Sequence, residues 1–146
     1  MEAKFTITRW DETTWDDAEP RLGRVLVGKT YTGVMEGTST AELTTCQPSE
    51  EQAGYVGTER FTGTLDGRAG SFVMQHGGVV SAGGARNFGH VVPGSGTGEL
   101  AGVGGSVLLA HERITLDVRF GDGRPGDVEP GNAETGDVQL GDVRGG

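Results

Sequence analysis

The sequence predicts an all-β fold in which eight antiparallel strands close into a barrel, followed by a disordered C-terminal tail. The chain is rich in Gly, Thr and Val and contains no long segment with the 3.6-residue apolar period of an amphipathic helix. Short alternating segments separated by Gly, Pro and Asp follow one another instead. An even number of such strands removes its unpaired edges by closing, and a barrel of about eight strands is just wide enough to hold one small ligand.

Length, charge and cysteine content narrow the class of protein. The 146 residues fit one core, and we assign residues 1–120 to a barrel domain and residues 121–146 to the tail. The net charge of -9 disfavours nucleic acid and anionic membrane surfaces as partners, because clustered Lys and Arg bind both. The chain starts without an apolar leader, and no apolar run approaches the roughly 18 residues that span a bilayer. We therefore expect a cytoplasmic protein, without an internal disulfide because Cys46 is its single cysteine.

The first half of the barrel is predicted to contain three strands. Residues 4–10 alternate apolar and polar side chains, which is the period of a half-buried strand. Residues 11–20 are acidic and end in a proline, so we expect a solvated loop there. Residues 22–47 indicate two further strands joined by a turn at Glu36-Gly37.

The second half begins with a hairpin at residues 55–78. A strand at residues 83–92, a tight glycine-rich turn at 93–98 and one or two closing strands within 99–120 are expected to follow. From residue 121 onward glycine recurs every five residues among acidic side chains. Low hydrophobicity with excess acid predicts an extended, disordered tail.

The hairpin at residues 55–78 gives the most detailed prediction. If Asp66-Gly67 forms a two-residue turn, cross-strand partners are fixed. Side chains alternate between the faces of a strand, so one face then carries Tyr55, Glu59, Phe61, Leu65, Phe72, Met74 and His76. This face is the more apolar one and should point into the barrel. A bulge in the turn would instead bring Gln75 inward in place of His76.

Two ionisable residues accompany the apolar side chains on this face. Glu59 and His76 are candidate catalytic residues, because a desolvated carboxyl group near an imidazole is typical of acid–base chemistry. Structural roles remain open for both. Glu59 can be ion-paired with a cation such as Arg24, Lys29 or Arg113, and His76 can be a hydrogen-bonded core residue.

The predicted cavity would bind a small, mostly apolar metabolite. We expect its ligand-binding residues to be Tyr55, Phe61, Phe72, Met74, Gln75 and His90. The three histidines fall on different predicted strands and no H-x-H pair occurs, so we predict no metal site. No cofactor is expected either, because the glycine-rich turn at residues 93–98 lacks the Lys-Ser/Thr of a phosphate-binding loop.

The order of motifs along the chain resembles an uncharacterised bacterial family, domain of unknown function 3224. The motifs are FTITRWDE, YTGVMEGTSTAE, YVGTERFTGTLDGRAGSFVMQHGG, VVPGSGTGELAG and ITLDVRF, which together cover most of residues 5–120. That family is similar in fold to the allene oxide cyclase barrel, a closed eight-stranded barrel with a largely apolar cavity. The resemblance implies relatives that cyclise unsaturated fatty-acid epoxides or close polyketide rings by folding an apolar substrate inside the cavity.

Three functions are compatible with these observations. The first is a cofactor-independent isomerase or cyclase in which Glu59 assists proton movement and the apolar side chains shape the substrate. The second is a non-catalytic carrier or sensor of a similar ligand, in which Glu59 is ion-paired. The third is a homo-oligomeric structural or housekeeping protein, with outward residues such as Val73 or Val107 at the subunit contact.

Overall fold

Residues 1–121 form nine β-strands, and every pairing between them is antiparallel. The computed structural model describes residues 1–121. The strands within this range are β1 (Glu2–Asp16), β2 (Leu22–Gly33), β3 (Met35–Cys46), β4 (Ala53–Leu65), β5 (Arg68–Ser81), β6 (Gly84–Val91), β7 (Thr97–Gly98), β8 (Val103–Ala110) and β9 (Arg113–Phe120). No helix in this range has the length and apolar character needed to cross a membrane. The tail that we predict to be disordered lies, after residue 121, outside the described residues.

Eight of these strands form a closed ring. Hydrogen-bonded neighbours follow the order β4-β3-β2-β1-β9-β8-β6-β5, and β5 pairs with β4 to complete the circle. The two-residue β7 pairs with β5 beside the ring. The ring confirms the predicted closed antiparallel barrel, and its antiparallel neighbours need only short connections.

The first strand is longer than the sequence predicts. β1 continues through residues 11–16, which pair with β2, so the prediction of a loop throughout residues 11–20 is wrong for this part. Pairing with β2 satisfies the backbone amides while the polar side chains stay in water, a pattern that side-chain polarity alone does not distinguish from a loop. A register shift at Thr8 also reverses the alternation of β1, so that Trp10 and Glu12 face the barrel interior.

The hairpin between β4 and β5 has the predicted geometry. Asp66 and Gly67 form its two-residue turn with φ values of 51° and 82°, and positive φ at both positions is what a type I′ turn requires. Phe61 therefore lies opposite Phe72, as predicted. Because the turn contains no bulge, the inward face of this hairpin is the one expected from the sequence.

The hairpin between β2 and β3 turns earlier than expected. The chain reverses at Gly33-Val34, and the predicted turn at Glu36-Gly37 lies inside β3. Gly37 is opposite Gly63 of β4, where a Cβ atom would come within 2.2 Å of a β4 carbonyl oxygen. Gly37 thus permits the close approach of two strands and does not make a turn.

Buried side chains in the barrel form two clusters. The larger one, the packed end, consists of Ala3, Phe5, Tyr31, Met35, Phe61, Leu65, Phe72, Met74, Val91, Leu100, Val103, Val107, Leu109, Ile114 and Leu116. The smaller one, the cavity end, consists of Val25, Val27, Ala41 and Leu43, with the half-buried Tyr55 packed against it. The same strands β2, β3 and β4 supply residues to both clusters.

Strand β8 directs one predicted surface residue inward. Val107, which we expected at a subunit contact, is completely buried on the inner face between Val103 and Leu109. The alternation of β8 is hard to read from the sequence because Gly104 and Gly105 occupy its start. The expectation of an outward Val107 is therefore wrong.

Candidate functional site

A cavity of about 610 Å³ occupies the cavity end of the barrel. Apolar side chains form most of its wall, among them Val25, Val27 and Leu43 of the cavity end. Phe5 and Leu109 of the packed end also border the cavity. Ile7, Trp10, Val79 and Val80 line it as well and are each about half exposed, which places them towards solvent. A concave, mostly apolar space of this size is typical of a site for one small organic molecule.

Glu59 lies behind the wall of this cavity and is completely buried. Its Oε1 atom accepts hydrogen bonds from Lys29 Nζ at 2.9 Å and His76 Nε2 at 2.8 Å. Its Oε2 atom accepts from the hydroxyls of Tyr31 at 2.7 Å and Ser39 at 2.6 Å. Lys29 and His76 line the cavity, so they connect the buried carboxylate to the ligand space.

The register of the strands brings these partners together. Lys29 of β2 lies directly opposite Ser39 of β3, and Glu59 of β4 lies opposite Ala41, two residues along β3. His76 of β5 is diagonal to Glu59 across the β4–β5 pair. Diagonal neighbours on one face of a sheet are within reach of long side chains.

Glu59 is held in its ionised form. Burial by itself would raise the pKa of this carboxyl group, but hydrogen bonding from His76, the charge of Lys29 and the hydroxyls of Ser39 and Tyr31 outweigh burial and lower the pKa from 4.5 to about 2. The hydroxyl of Tyr31 responds in the opposite direction. Burial, followed by the negative charge of Glu59, raises the pKa of Tyr31, which keeps it a neutral donor.

The His76 ring links Glu59 to the cavity. Its Nε2 atom faces Glu59, and its Nδ1 atom lies 2.9 Å from Tyr55 Oη. An ionised carboxylate only accepts hydrogen bonds, so we assign the proton of the neutral ring to Nε2, and Nδ1 accepts from the Tyr55 hydroxyl. Tyr55 lines the cavity, and burial together with the charge of Glu59 raises its pKa to about 12.

This chain of hydrogen bonds can move a proton between the cavity and His76. When the Tyr55 oxygen takes a proton from a bound molecule, the original hydroxyl proton of Tyr55 can pass to Nδ1 of His76. The imidazolium that results is stabilised by the Glu59 carboxylate, which is the division of roles known from carboxylate–imidazole–hydroxyl triads. Lys29 already balances the charge of Glu59 through their ion pair.

The structure places the predicted site residues in three groups. Tyr55, Glu59 and His76 come together as described. Phe61, Phe72 and Met74 are completely buried in the packed end and do not line the cavity. They support the site from beneath, because they fill the barrel below Glu59.

Gln75 and His90 lie on the outside of the barrel. Both are exposed, and they are direct cross-strand partners in the β5–β6 pair, so they share one face. Gln75 bonds to Thr58 on that outer face. Their assignment as cavity-lining residues is wrong. The bulge that would turn Gln75 inward is absent, and His90, as the cross-strand partner of Gln75, points outward on the same face.

Three members of the carboxylate network were not assigned to the site from the sequence. The sequence predicts Lys29 only as one of three possible ion-pair partners of Glu59, and the structure shows that pairing; it gives no prediction for Tyr31 and Ser39. The signal was present in the alternation of β2, where Val25, Val27, Lys29 and Tyr31 are two residues apart. The misplaced turn at Glu36-Gly37 hid the partner positions on β3.

The histidines of the barrel are spread over separate places. His76 is inside, His90 is outside, and His111 lies in the turn between β8 and β9, where it lines the cavity. Among residues 1–121, no group of three or more His, Cys, Asp and Glu side chains is arranged to hold a metal ion.

Comparisons with known proteins find a family and a similar structure, but they assign no activity. A family model described as "Protein of unknown function (DUF3224)" matches residues 1–119. A crystal structure of a protein with unknown function from the DUF3224 family of Shewanella oneidensis MR-1 is similar, with a TM-score of 0.76 and 32% sequence identity. The similarity covers 83% of this chain and 96% of that chain. No curated protein matches the chain.

Proposed function

The chain belongs to the DUF3224 family of proteins of unknown function, and we propose that it is a cofactor-independent isomerase or cyclase. Its substrate is a small, mostly apolar metabolite bound in the cavity. The single observation that carries this proposal is the chain of hydrogen bonds from Tyr55 through His76 to the ionised Glu59, at the wall of an apolar cavity.

Tyr55, His76 and Glu59 each have a separate role in the proposed reaction. Tyr55 lines the cavity and is the catalytic residue of the proposal, in which its hydroxyl exchanges a proton with the substrate. His76 accepts the phenolic proton at Nδ1 and returns it later in the reaction. Glu59 is a positioning residue that fixes the ring and its tautomer and stabilises the imidazolium. The apolar wall holds one conformation of the substrate against Tyr55.

A non-catalytic carrier or sensor is the second candidate. It is favoured by the four hydrogen bonds that Glu59 accepts, since a carboxylate with all its partners present is also what a purely structural ion pair requires. A carrier would use the same cavity and the same apolar wall. Tyr55 and His76 would then fix the ligand's orientation without transferring a proton.

The binding half of the proposal can be tested by filling the cavity. We expect Val27→Trp, on the cavity wall, to reduce the affinity for an apolar fluorescent naphthylamine probe at least tenfold (roughly 1.4 kcal/mol). Leu26→Trp is the matched control, because the adjacent Leu26 points outward and is partly exposed. Equal probe affinity in the two variants would show that small molecules do not bind in this cavity.

The catalytic half can be tested with Tyr55→Phe, which keeps the ring and removes the hydroxyl. A ligand that copurifies with the protein would be extracted, incubated with fresh protein in deuterated water and weighed by mass spectrometry. An isomerase incorporates deuterium, and Tyr55→Phe should slow this incorporation about 100-fold, within the usual range for loss of acid–base catalysis. A carrier leaves the ligand undeuterated with both proteins, and that result would favour the second candidate.

A further inference from the structure

Two permanently charged cations line the cavity among residues 1–121, and of these Lys29 is buried whereas Arg21 is exposed. The side chain of Lys29 is 7% exposed, and that exposure is to the cavity that it lines. The Nζ atom donates to Glu59 Oε1 at 2.9 Å and lies 4.4 Å from the centre of the Phe5 ring. The ion pair and the ring together fix the ammonium group at this wall.

The ammonium group of Lys29 has more donors than these contacts use. An ammonium carries three N–H groups, and among the described residues Glu59 Oε1 is the hydrogen-bond acceptor that Nζ reaches. With one further donor directed to the Phe5 ring, a donor remains for a molecule in the cavity. A bound ligand therefore finds a fixed, partly desolvated cation at the inner wall.

Lys29 also lies close to the proton-transferring groups. Its Nζ atom and His76 Nε2 bind the same oxygen of Glu59, so they are at most two hydrogen-bond lengths apart. The Tyr55 hydroxyl bonds to the other nitrogen of that ring. The cation of β2 and the proton acceptor of β5 thus lie close together at the cavity wall, joined through Glu59 of β4.

Resting on the proposed function, we propose that the ligand is an apolar ketone or aldehyde with an enolisable carbon next to its carbonyl group. The carbonyl oxygen accepts a hydrogen bond from Lys29 Nζ, and the adjacent C–H group faces the Tyr55 oxygen. The apolar remainder of the molecule contacts the wall formed by Val25, Val27 and Leu43.

The proton transfer balances without an oxidant or reductant. The C–H bond breaks and its electron pair becomes the C=C bond of an enolate, while the carbonyl π pair moves onto oxygen beside the ammonium of Lys29. The proton goes to the Tyr55 oxygen, and the original Tyr55 proton goes to His76 Nδ1. Return of a proton to the same carbon or to a conjugated carbon gives the ketone or its double-bond isomer. The cation acts where negative charge develops, which is where a fixed charge is most effective.

Charge balance favours a neutral carbonyl over other ligand groups. Lys29 and Glu59 already neutralise each other, so a ligand carboxylate would add an unbalanced negative charge next to a buried carboxylate. A pure hydrocarbon would cover the free donor of Lys29 and leave it without an acceptor, which is costly in a desolvated site. A carbonyl oxygen supplies the acceptor and adds no net charge.

The substrate class can be tested with a ketone and a hydrocarbon of the same shape, β-tetralone and tetralin. We expect the wild-type protein to bind β-tetralone about tenfold more tightly than tetralin, because only the ketone offers an acceptor to the charged donor of Lys29. Calorimetric or NMR titration measures both affinities. Equal affinities would overturn the carbonyl inference and leave the proposed function standing, whereas binding of neither molecule would count against both.

Deuterium exchange separates enolisation from simple binding. We expect the wild-type protein in deuterated water to exchange the acidic CH₂ protons of β-tetralone faster than buffer alone, as followed by proton NMR. Lys29→Met should lose this exchange and the preference for the ketone, whereas Lys4→Met, at the exposed lysine of β1, should keep both. If Lys29→Met does not fold, Tyr55→Phe supplies the second variant. No exchange above the buffer rate with the wild-type protein would overturn the inference.

Discussion

The two ends of the barrel are built by the same strands and differ in what their inward side chains do. At the packed end, Phe61, Leu65 and Phe72 are completely buried and fill the interior. At the cavity end, residues of the same strands surround about 610 Å³ of open space. Between the two ends lies the completely buried Glu59. Strands such as β2, whose alternation is uninterrupted, can thus contribute to a solid core at one end of the barrel and to a binding site at the other.

The difference comes from side-chain size and from one polar boundary. Aromatic and long aliphatic side chains fill the packed end, with the rings of Phe61 and Phe72 centred 5.4 Å apart. The shorter Val25, Val27 and Ala41 leave the other end open. The carboxylate network separates them, and its four hydrogen bonds are all made by side chains of the inner face. Whether this boundary belongs to the core or to the cavity can be decided by measuring how mutations in it change the free energy of unfolding.

The largest expected effect is that of Glu59→Gln. If the boundary belongs to the core, removing the charge leaves the Lys29 ammonium buried without its counter-charge, and we expect a loss of about 3–5 kcal/mol in the free energy of unfolding. Urea unfolding followed by tryptophan fluorescence measures this loss. Glu42→Gln is the matched control, because its pairing with Arg24 is exposed and should be worth about 0–1 kcal/mol. Similar losses in the two variants would show that the network is not part of the core.

The next effect is a loss of stability in acid that depends on Glu59. Its pKa is about 2 in the folded protein against 4.5 for the free group, so the folded state binds fewer protons. The stabilisation is complete above pH 4.5 and is lost as the pH falls towards 2, and it amounts to about 3 kcal/mol. Urea titrations across this range should show a steeper loss for the wild-type protein than for Glu59→Gln. Parallel curves for the two proteins would mean that Glu59 is not the responsible acid.

The sequence predicted one hairpin in full and the cavity only in part. Asp66-Gly67 fixed a register, and that register placed Glu59 and His76 inside. This register does not predict where along the barrel axis the packed core ends and the cavity begins. That position depends on side chains from strands that are far apart in the sequence. The side chains of Phe72 and Tyr55 both point into the barrel, yet Phe72 belongs to the core and Tyr55 lines the cavity.

The partners of Glu59 show a second limit of the sequence. Lys29 reaches Glu59 because β3 lies between β2 and β4 in a particular register. The misplaced turn at Glu36-Gly37 left that register undetermined. Where a turn has a distinctive sequence, as at Asp66-Gly67, the neighbouring strands can be aligned; where the chain turns at Gly33-Val34, local sequence gives little guidance.

The smallest effect is a difference of about 2 kcal/mol between the same substitution made at the two ends of the barrel. We expect Leu65→Ala, at the packed end, to cost about 3–4 kcal/mol, because it opens a new cavity among completely buried side chains. Leu43→Ala, on the cavity wall, should cost only about 1–2 kcal/mol, since part of its surface already faces open space and little new cavity forms. Chemical unfolding measures both, and the naphthylamine probe provides a second measurement in which the order reverses, because only Leu43 contacts the ligand space. Equal losses of stability would mean that the cavity end is packed as tightly in solution as the other end, and the division of the barrel into a core and a binding site would then fail.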